Sequence, residues 1–72
     1  MKGRLEREGV YWFVRFVEDE SRRYRVHISD IKRLGLDAEH KGKRVFARIA
    51  ADIYPPTNAN GWIENKSMVI NE

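Results

Sequence analysis

The 72 residues include no cysteine, so we expect one small domain over residues 1–72 and exclude a disulfide framework and a thiolate metal site. No stretch approaches the length of about 20 apolar residues that a membrane helix needs, so we expect a cytoplasmic protein without membrane contact. The net charge is +3, and 13 of the 14 Lys and Arg but only 8 of the 11 acids lie in residues 1–48, so the excess positive charge belongs to the first two thirds of the chain.

The first two strands are predicted at residues 2–7 and 10–17, separated by a turn at Glu8-Gly9. The second segment is almost entirely β-branched or aromatic, which makes it the strongest strand signal in the chain. Alternation divides it into a larger apolar set, Val10, Trp12, Val14 and Phe16, and an opposite set, Tyr11, Phe13, Arg15 and Val17. We therefore predict the first set in the core, together with Leu5, Tyr24, Val26, Ile28, Val45, Ala47 and Ile49.

Residues 18–21 are polar and predict a hairpin turn that leads into a third strand at residues 22–28. In that strand an apolar side, Tyr24, Val26 and Ile28, alternates with a cationic side, Arg23, Arg25 and His27. Residues 29–35 predict a single helical turn, with Ser29 or Asp30 as its N-cap and Gly35 at its left-handed end.

The rest of the chain predicts two more strands. After a polar connection at residues 37–42, the alternation of residues 43–50 indicates the fourth strand. Residues 52–61 contain two prolines, two asparagines and a glycine, which predicts a long exposed loop. Residues 62–70 are then predicted as the fifth strand.

This order of elements predicts an all-β fold, a five-stranded Greek-key barrel of the oligonucleotide-binding (OB) type with a short helical turn between strands three and four. Closing the sheet limits the exposed strand edges of a small protein. An SH3-like barrel also has five strands, but it usually places its short helical turn before the last strand. The position of residues 29–35 therefore favours the OB type.

Several stretches resemble cold-shock domains. Residues 26–36, Val-His-Ile-Ser-Asp-Ile-Lys-Arg-Leu-Gly-Leu, resemble the second ribonucleoprotein motif of that family and the helical turn after it. Residues 42–49 are similar to the family's fourth strand, and Gly3-Arg4-Leu5 to the start of its first. Chain length and strand order are also similar to translation initiation factor one. The resemblance covers most of residues 3–50 and implies a binder of single-stranded RNA or DNA whose second and third strands carry the binding face.

The chain departs from the cold-shock pattern on both of those strands. Cold-shock domains have Lys-Gly-Phe-Gly-Phe on strand two, whereas residues 9–13 here read Gly-Val-Tyr-Trp-Phe, so Trp12 replaces a glycine. The family's aromatic residue on strand three is replaced by Arg25. The family's platform for bases is retained only if the Trp12 ring turns inward.

An exposed surface of aromatic rings and guanidinium groups is predicted on strands two and three. It consists of Tyr11, Phe13 and Arg15 beside Arg23, Arg25 and His27, with a basic rim of Lys32, Arg33, Lys41, Lys43 and Arg44. Such a surface suits a single strand, because rings stack on bases and arginines donate hydrogen bonds to phosphates. We therefore predict capture of single-stranded RNA or DNA by the cations, followed by stacking on Tyr11 and Phe13, with little sequence preference.

Two alternatives would remove this stacking surface. A bulge or a register shift in the second strand would bury Tyr11 and Phe13 and expose Trp12. Alternatively, Arg23 and Arg25 could pair with the acids of the hairpin turn, which would neutralise them.

The other residues of the surface leave a similar choice. His27 could be a neutral surface histidine, and the basic rim could simply keep a small protein soluble. Trp62 and Tyr54 either extend the binding surface or pack the long loop against the end of the barrel.

No pattern typical of catalysis or metal binding is present. His27 and His40 lie on different predicted elements, without a cysteine nucleophile and without a spacing such as His-Glu-x-x-His. We expect no enzymatic activity, no cofactor and no metal ion, and we expect a monomer. The alternative to nucleic-acid binding is a protein-interaction module, SH3-like or OB-like, such as a small phage or plasmid regulator, whose aromatic residues bind a protein partner.

Overall fold

Strands β1 (Lys2–Glu8) and β2 (Tyr11–Phe16) form the central hairpin of the sheet. The computed structural model describes residues 1–51 and 53–71, and Asp52, the first residue of the predicted loop, lies outside them. The two strands pair antiparallel over six residue pairs. Gly9 makes the turn between them at φ +63°, a conformation that glycine adopts without steric cost. The first two predicted strands are therefore confirmed.

The remaining elements are shorter. They are β3 (Tyr24–Arg25), α1 (Ile28–Leu34), a 3₁₀ helix (Ala38–His40), β4 (Arg44–Phe46), β5 (Gly61–Trp62) and β6 (Val69–Ile70). All six strands belong to one sheet in the order β5-β3-β2-β1-β4-β6. β3 and β5 pair in parallel, and the other neighbouring strands are antiparallel. Over the described residues the protein is thus a small β-rich fold with one short α-helix.

The prediction of a closed five-stranded barrel is wrong, both in the number of strands and in the closure of the sheet. Residues 62–70 contain parts of two short strands, because a turn that includes Lys66, at φ +66°, interrupts them. Beyond β4 and β5 the sheet continues only as one isolated bridge, Ile49 opposite Ile63, with backbone hydrogen bonds of 2.8 and 2.7 Å on either side. The described part of the sheet is therefore not closed into a barrel.

The core lies on the side of β2 that alternation predicts. Trp12, Val14 and Phe16 are at most 3% exposed. They pack with six other buried residues, Leu5, Val26, Val45, Ala47, Ile63 and Met68, and Tyr24 packs against this cluster while partly exposed. The prediction that the Trp12 ring turns inward is confirmed.

Three residues predicted in the core lie instead at the surface. Val10 is 77% exposed because it belongs to the turn between β1 and β2 and not to a strand. Ile28 is 68% exposed because it begins α1, where the alternation of a strand no longer applies. Ile49 is 37% exposed, beyond the end of β4.

Helix α1 follows His27, which is its N-cap residue but makes no side-chain capping bond. Ser29 and Asp30, the two predicted N-cap residues, lie within the helix instead. Ser29 is exposed and Asp30 is fully buried. Gly35 ends the helix at φ +61°, as predicted. Within the described residues, no helix combines the length and apolar character that crossing a bilayer requires.

Candidate nucleic-acid interface

The outer face of the sheet, opposite the core, brings residues of three strands together. Phe13 of β2 lies opposite Arg25 of β3, and Arg25 lies opposite Trp62 of β5. Residues that face each other across neighbouring strands project from the same side of a sheet. Tyr11, two residues before Phe13, shares this side.

Four residues form a cluster at this end of the face, which we call the aromatic-arginine cluster: Tyr11, Arg25, His27 and Trp62. The guanidinium carbon of Arg25 is 4.3 Å from the ring centroid of Tyr11 and 5.1 Å from that of Trp62. The rings of His27 and Trp62 stack with centroids 4.3 Å apart and an interplanar angle of 6°. Tyr11 remains 40% exposed, so the cluster is open to solvent.

The loop before β5 holds the Trp62 ring in place. The indole Nε1 donates a 2.9 Å hydrogen bond to the carbonyl oxygen of Tyr54, whose own ring is 94% exposed. The interpretation that the long loop packs against the protein is therefore confirmed for Trp62, whereas extension of a binding surface stays a prediction. The loop packs against Trp62, and Trp62 also belongs to the surface formed by β2 and β3.

Arg25 has no carboxylate partner among the described residues. Its guanidinium is positioned by contact with aromatic rings instead of by an acid. Such stacking leaves N–H groups of the guanidinium free to donate to an anion. In this part of the chain, pairing of Arg25 with the acids of the hairpin turn does not occur.

The prediction that Phe13 is an exposed stacking platform is wrong. Phe13 projects from the predicted side of β2, but its exposure is 0%. The guanidinium carbon of Arg23 lies 3.9 Å from its ring centroid, and Arg23 is fixed by a 3.0 Å bond from its Nε to the Asn58 carbonyl and a 3.1 Å ion pair with Glu8. Arg23 therefore covers Phe13 and is itself neutralised.

Arg15 is also engaged within the protein. Its Nε and Nη2 donate to the two carboxylate oxygens of Glu6, and its Nη1 donates to the Glu20 carbonyl at 2.8 Å. The hydrogen bonds from Arg15 hold the pKa of Glu6 below its ordinary value of 4.5, while partial burial opposes this effect. The same bonds raise the pKa of Arg15. Arg15 thus contributes an ion pair to the outer face and not a free cation.

The Glu6-Arg15 pair makes stability depend on pH. Because the pKa of Glu6 is lower in the folded protein, its contribution is present above about pH 4.5 and is lost as the pH falls through the folded value. Both side chains are about one third exposed, so solvent screening limits the contribution to about 0.5–1 kcal/mol. We expect Glu6→Gln to lose this amount at pH 7, measured by urea denaturation, and to converge with the unsubstituted protein at low pH.

Glu39→Gln is the matched control, since it removes the same charge from an exposed residue that has no ion pair in the described structure. Its stability should follow the unsubstituted protein at every pH. A deficit of Glu6→Gln that stays constant between pH 7 and pH 3 would contradict the assignment of the effect to ionisation of Glu6.

The predicted basic rim does not form one surface. Lys32 is exposed on α1, but Arg33 on the same helix donates from Nε to Asp30 at 3.1 Å and from Nη2 to a backbone carbonyl at 3.1 Å. Arg44 begins β4 and Lys43 precedes it, and β1 separates β4 from β2. Of the eleven residues predicted for the binding surface and its rim, the structure therefore brings only Tyr11, Arg25 and His27 into one open cluster.

Trp62 is the functional candidate that the alternation pattern does not identify. Its place in the cluster depends on the parallel pairing of β3 with β5, which brings together residues 37 positions apart in the chain. The only sequence signal is an aromatic residue after the loop of prolines and asparagines. Two exposed apolar residues, Val10 and Ile28, flank Tyr11 and Arg25 in a shallow groove.

The described residues hold no group of three His, Cys, Asp or Glu side chains that could bind a metal ion. His40 contacts Asp37 at 2.9 Å at the 3₁₀ helix, on a different element from His27. In comparisons with protein families, curated proteins and solved structures, no family model matches this chain and no similar protein or structure is found.

Proposed function

We propose that the protein binds single-stranded RNA or DNA through the aromatic-arginine cluster, with little sequence preference and without catalysis. One observation carries the proposal: Arg25, unpaired within the described residues, lies against both Tyr11 and Trp62 on an open face. This combination supplies both of the interactions that a single strand requires, a cation for phosphate and π-faces for bases.

The proposed mechanism assigns separate roles to the four residues. Arg25, held by the two rings, donates hydrogen bonds to a phosphate. One base stacks on the exposed part of Tyr11, and a second extends the stack that His27 already forms with Trp62. At roughly 1–3 kcal/mol for each stacked base, two bases and one charged contact are consistent with micromolar affinity.

For the fold we propose an OB-type strand order, without the closed five-stranded barrel. Three features support it: the successive antiparallel strands β1, β2 and β3, the position of α1 between β3 and β4, and the parallel pairing of β3 with β5. A relation to cold-shock domains or to translation initiation factor one is likewise a proposal. We also propose that the protein is a cytoplasmic monomer. In that setting the function would be RNA chaperoning or a role in translation or transcription.

Binding of a fluorescent oligo-dT or oligo-U of ten nucleotides tests the function. We expect saturable binding at 20 mM salt that weakens steeply as salt is raised, because phosphate contacts release counterions. Replacing Arg25 by glutamine should weaken binding about tenfold and reduce the slope of log affinity against log salt by about 0.7–1, one phosphate contact. Fluorescence anisotropy measures both quantities.

Arg22→Gln is the matched control. Arg22 is exposed, lies before β3 and pairs with Asp19 at 3.6 Å, away from the cluster. Its removal changes the net charge by the same amount and should leave the affinity within about twofold, close to the effect of an exposed, screened ion pair. Equal losses in both variants would indicate general electrostatic attraction without a site at Arg25.

A protein-interaction module is the second candidate, favoured by the apolar groove beside the cluster. Val10 and Ile28 are 77% and 68% exposed and line the same groove as Tyr11, so exposed apolar side chains lie next to one another there. Such a groove suits the apolar side chains of a peptide. The same titration separates the two functions, since absence of oligonucleotide binding up to about 100 μM at low salt would leave the interaction module as the better proposal.

A further inference from the structure

A second basic site lies on the other half of the sheet, between β1 and β4. A pocket of about 110 Å³ is lined by Lys2, Arg4, Arg44 and Asn71 together with Gly3, Val17 and Val45, and its lining holds no carboxylate among the described residues. The volume corresponds to about three or four water molecules at roughly 30 Å³ each. The pocket is separate from the aromatic-arginine cluster, so an inference about it does not rest on the proposed function.

The register of the strands forces like charges together at this pocket. Arg4 lies directly opposite Arg44 on β4 and directly opposite Arg15 on β2. Like charges at opposed positions of an antiparallel pair are destabilising. The charge of Arg15 is compensated by Glu6, but Arg4 and Arg44 have no ion pair in the described residues.

Among the described residues, the Arg4 side chain makes one hydrogen bond, from Nη1 to the carbonyl oxygen of Gly42 at 3.1 Å. The other donors of its guanidinium fork remain available. Lys2 is two residues away on the same strand and therefore on the same side of the sheet. Two arginines and one lysine thus line one pocket without an ion-pair partner among the described residues.

The backbone around the pocket is held firmly. An ideal Cβ on Gly3 would lie 2.6 Å from Cγ1 of Val14 and 2.9 Å from the carbonyl oxygen of Arg15, so β1 approaches β2 as closely as glycine allows. On the other side, the Asn71 N–H donates to the Arg44 carbonyl at 2.9 Å. The strands that carry the three cations are therefore fixed relative to one another, which favours binding by reducing the ordering cost.

We propose that Lys2, Arg4 and Arg44 bind a phosphate group. A phosphate group carries one negative charge as a diester and close to two as a monoester at neutral pH, and its oxygens match the paired donors of a guanidinium, so it would relieve the repulsion between the two arginines. The group is either a free phosphate, as in pyrophosphate or a nucleotide, or a phosphodiester of a nucleic-acid backbone. The binding chemistry is the same for both.

In the first arm of the test, the full chain is titrated with sodium pyrophosphate at constant ionic strength. Amide chemical shifts are measured at each step of the titration. We expect saturable shifts centred on residues 2–4, 44–45 and 71, and a dissociation constant at least about tenfold higher for Arg4→Gln and Arg44→Gln. Arg22→Gln should bind as the unsubstituted protein does. Thermal unfolding without ligand confirms the fold of each variant, and Arg4→Gln should not be destabilised, because the opposed charges are gone.

The second arm repeats the anisotropy titration with ten-nucleotide oligo-dT. A weaker affinity and a smaller salt slope for Arg4→Gln would identify a phosphodiester as a ligand of the pocket, whereas pyrophosphate binding with an unchanged oligonucleotide affinity would identify a free phosphate. Either result supports the phosphate site. Two results of the pyrophosphate titration would overturn it: chemical shift changes spread equally over all exposed cations, or the same changes in Arg4→Gln and Arg44→Gln as in Arg22→Gln. Both results would count against the phosphate site whether or not the aromatic-arginine cluster binds oligonucleotides.

Discussion

Replacing Asp30 by alanine is expected to lower the free energy of unfolding by about 2–4 kcal/mol, although Asp30 lies outside every candidate binding surface. Its carboxylate is 0% exposed. It accepts a 3.1 Å hydrogen bond from Nε of Arg33 and bonds of 3.2 and 3.1 Å from the backbone N–H of Lys66. It therefore joins α1 to the turn between β5 and β6, and its loss removes bonds to a charged group at a buried position.

The size of this effect is large for so small a protein. At 0.05–0.15 kcal/mol for each residue, a 72-residue domain has a total stability of roughly 4–11 kcal/mol. Asp30→Asn should lose less, about 1–2 kcal/mol, because its carbonyl oxygen still accepts from Lys66. Urea denaturation followed by far-ultraviolet circular dichroism measures both values.

Glu39→Gln serves again as the control for loss of one acidic charge and should stay within about 0.5 kcal/mol of the unsubstituted protein. If Asp30→Ala lowered the free energy of unfolding as little as Glu39→Gln does, the Asp30 carboxylate would not be what holds the turn between β5 and β6 to α1. That turn includes Lys66 in the left-handed conformation, which a residue with a side chain adopts at a cost.

The sequence predicts best those parts of the fold whose signal is local. The apolar run of β2 and the glycine after β1 are enough to predict the central hairpin, and period-two alternation correctly turns Trp12 and Val14 inward. Gly35 likewise predicts the end of α1, because a left-handed terminus favours glycine. These features depend on neighbouring residues only.

Features that depend on distant residues could not be predicted in the same way. The strands β3, β5 and β6 have two residues each, too short for alternation to show, and their pairing is decided by the packing of the whole chain. Trp62 joins the candidate site only through the parallel pairing of β5 with β3. Asp30 resembles a helix cap in the sequence, but one of its two partners, the Lys66 N–H, is 36 residues away.

Phe13 shows the limit of alternation most clearly. The pattern correctly places Phe13 on the side of β2 that also carries Tyr11, yet alternation states only the side and not what covers it. Arg23 covers the ring because Asn58 and Glu8 hold its side chain in place. A long arginine side chain can bury an aromatic ring while its charged end stays at the surface.

The neighbouring pair Phe13 and Tyr11 yields the sharpest separation of stability from binding. Phe13→Ala should lower the free energy of unfolding by about 3–5 kcal/mol, since it deletes a fully buried ring. Tyr11→Ala should cost about 1 kcal/mol or less, because Tyr11 is 40% exposed, but it should weaken oligo-dT binding about tenfold by removing a stacking surface. Denaturant unfolding and fluorescence anisotropy measure the two effects independently.

Phe13→Leu and Tyr11→Phe are the conservative controls. Leucine should retain most of the stability, with a loss below about 1.5 kcal/mol, and phenylalanine at position 11 should retain the affinity because the stacking ring remains. The opposite pattern, a stable Phe13→Ala that binds poorly and an unstable Tyr11→Ala, would mean that the two rings exchange roles. These residues are two positions apart on one strand and share one face, but Arg23 covers Phe13 while Tyr11 stays 40% exposed, so this comparison tests the geometry on which the proposed binding surface depends.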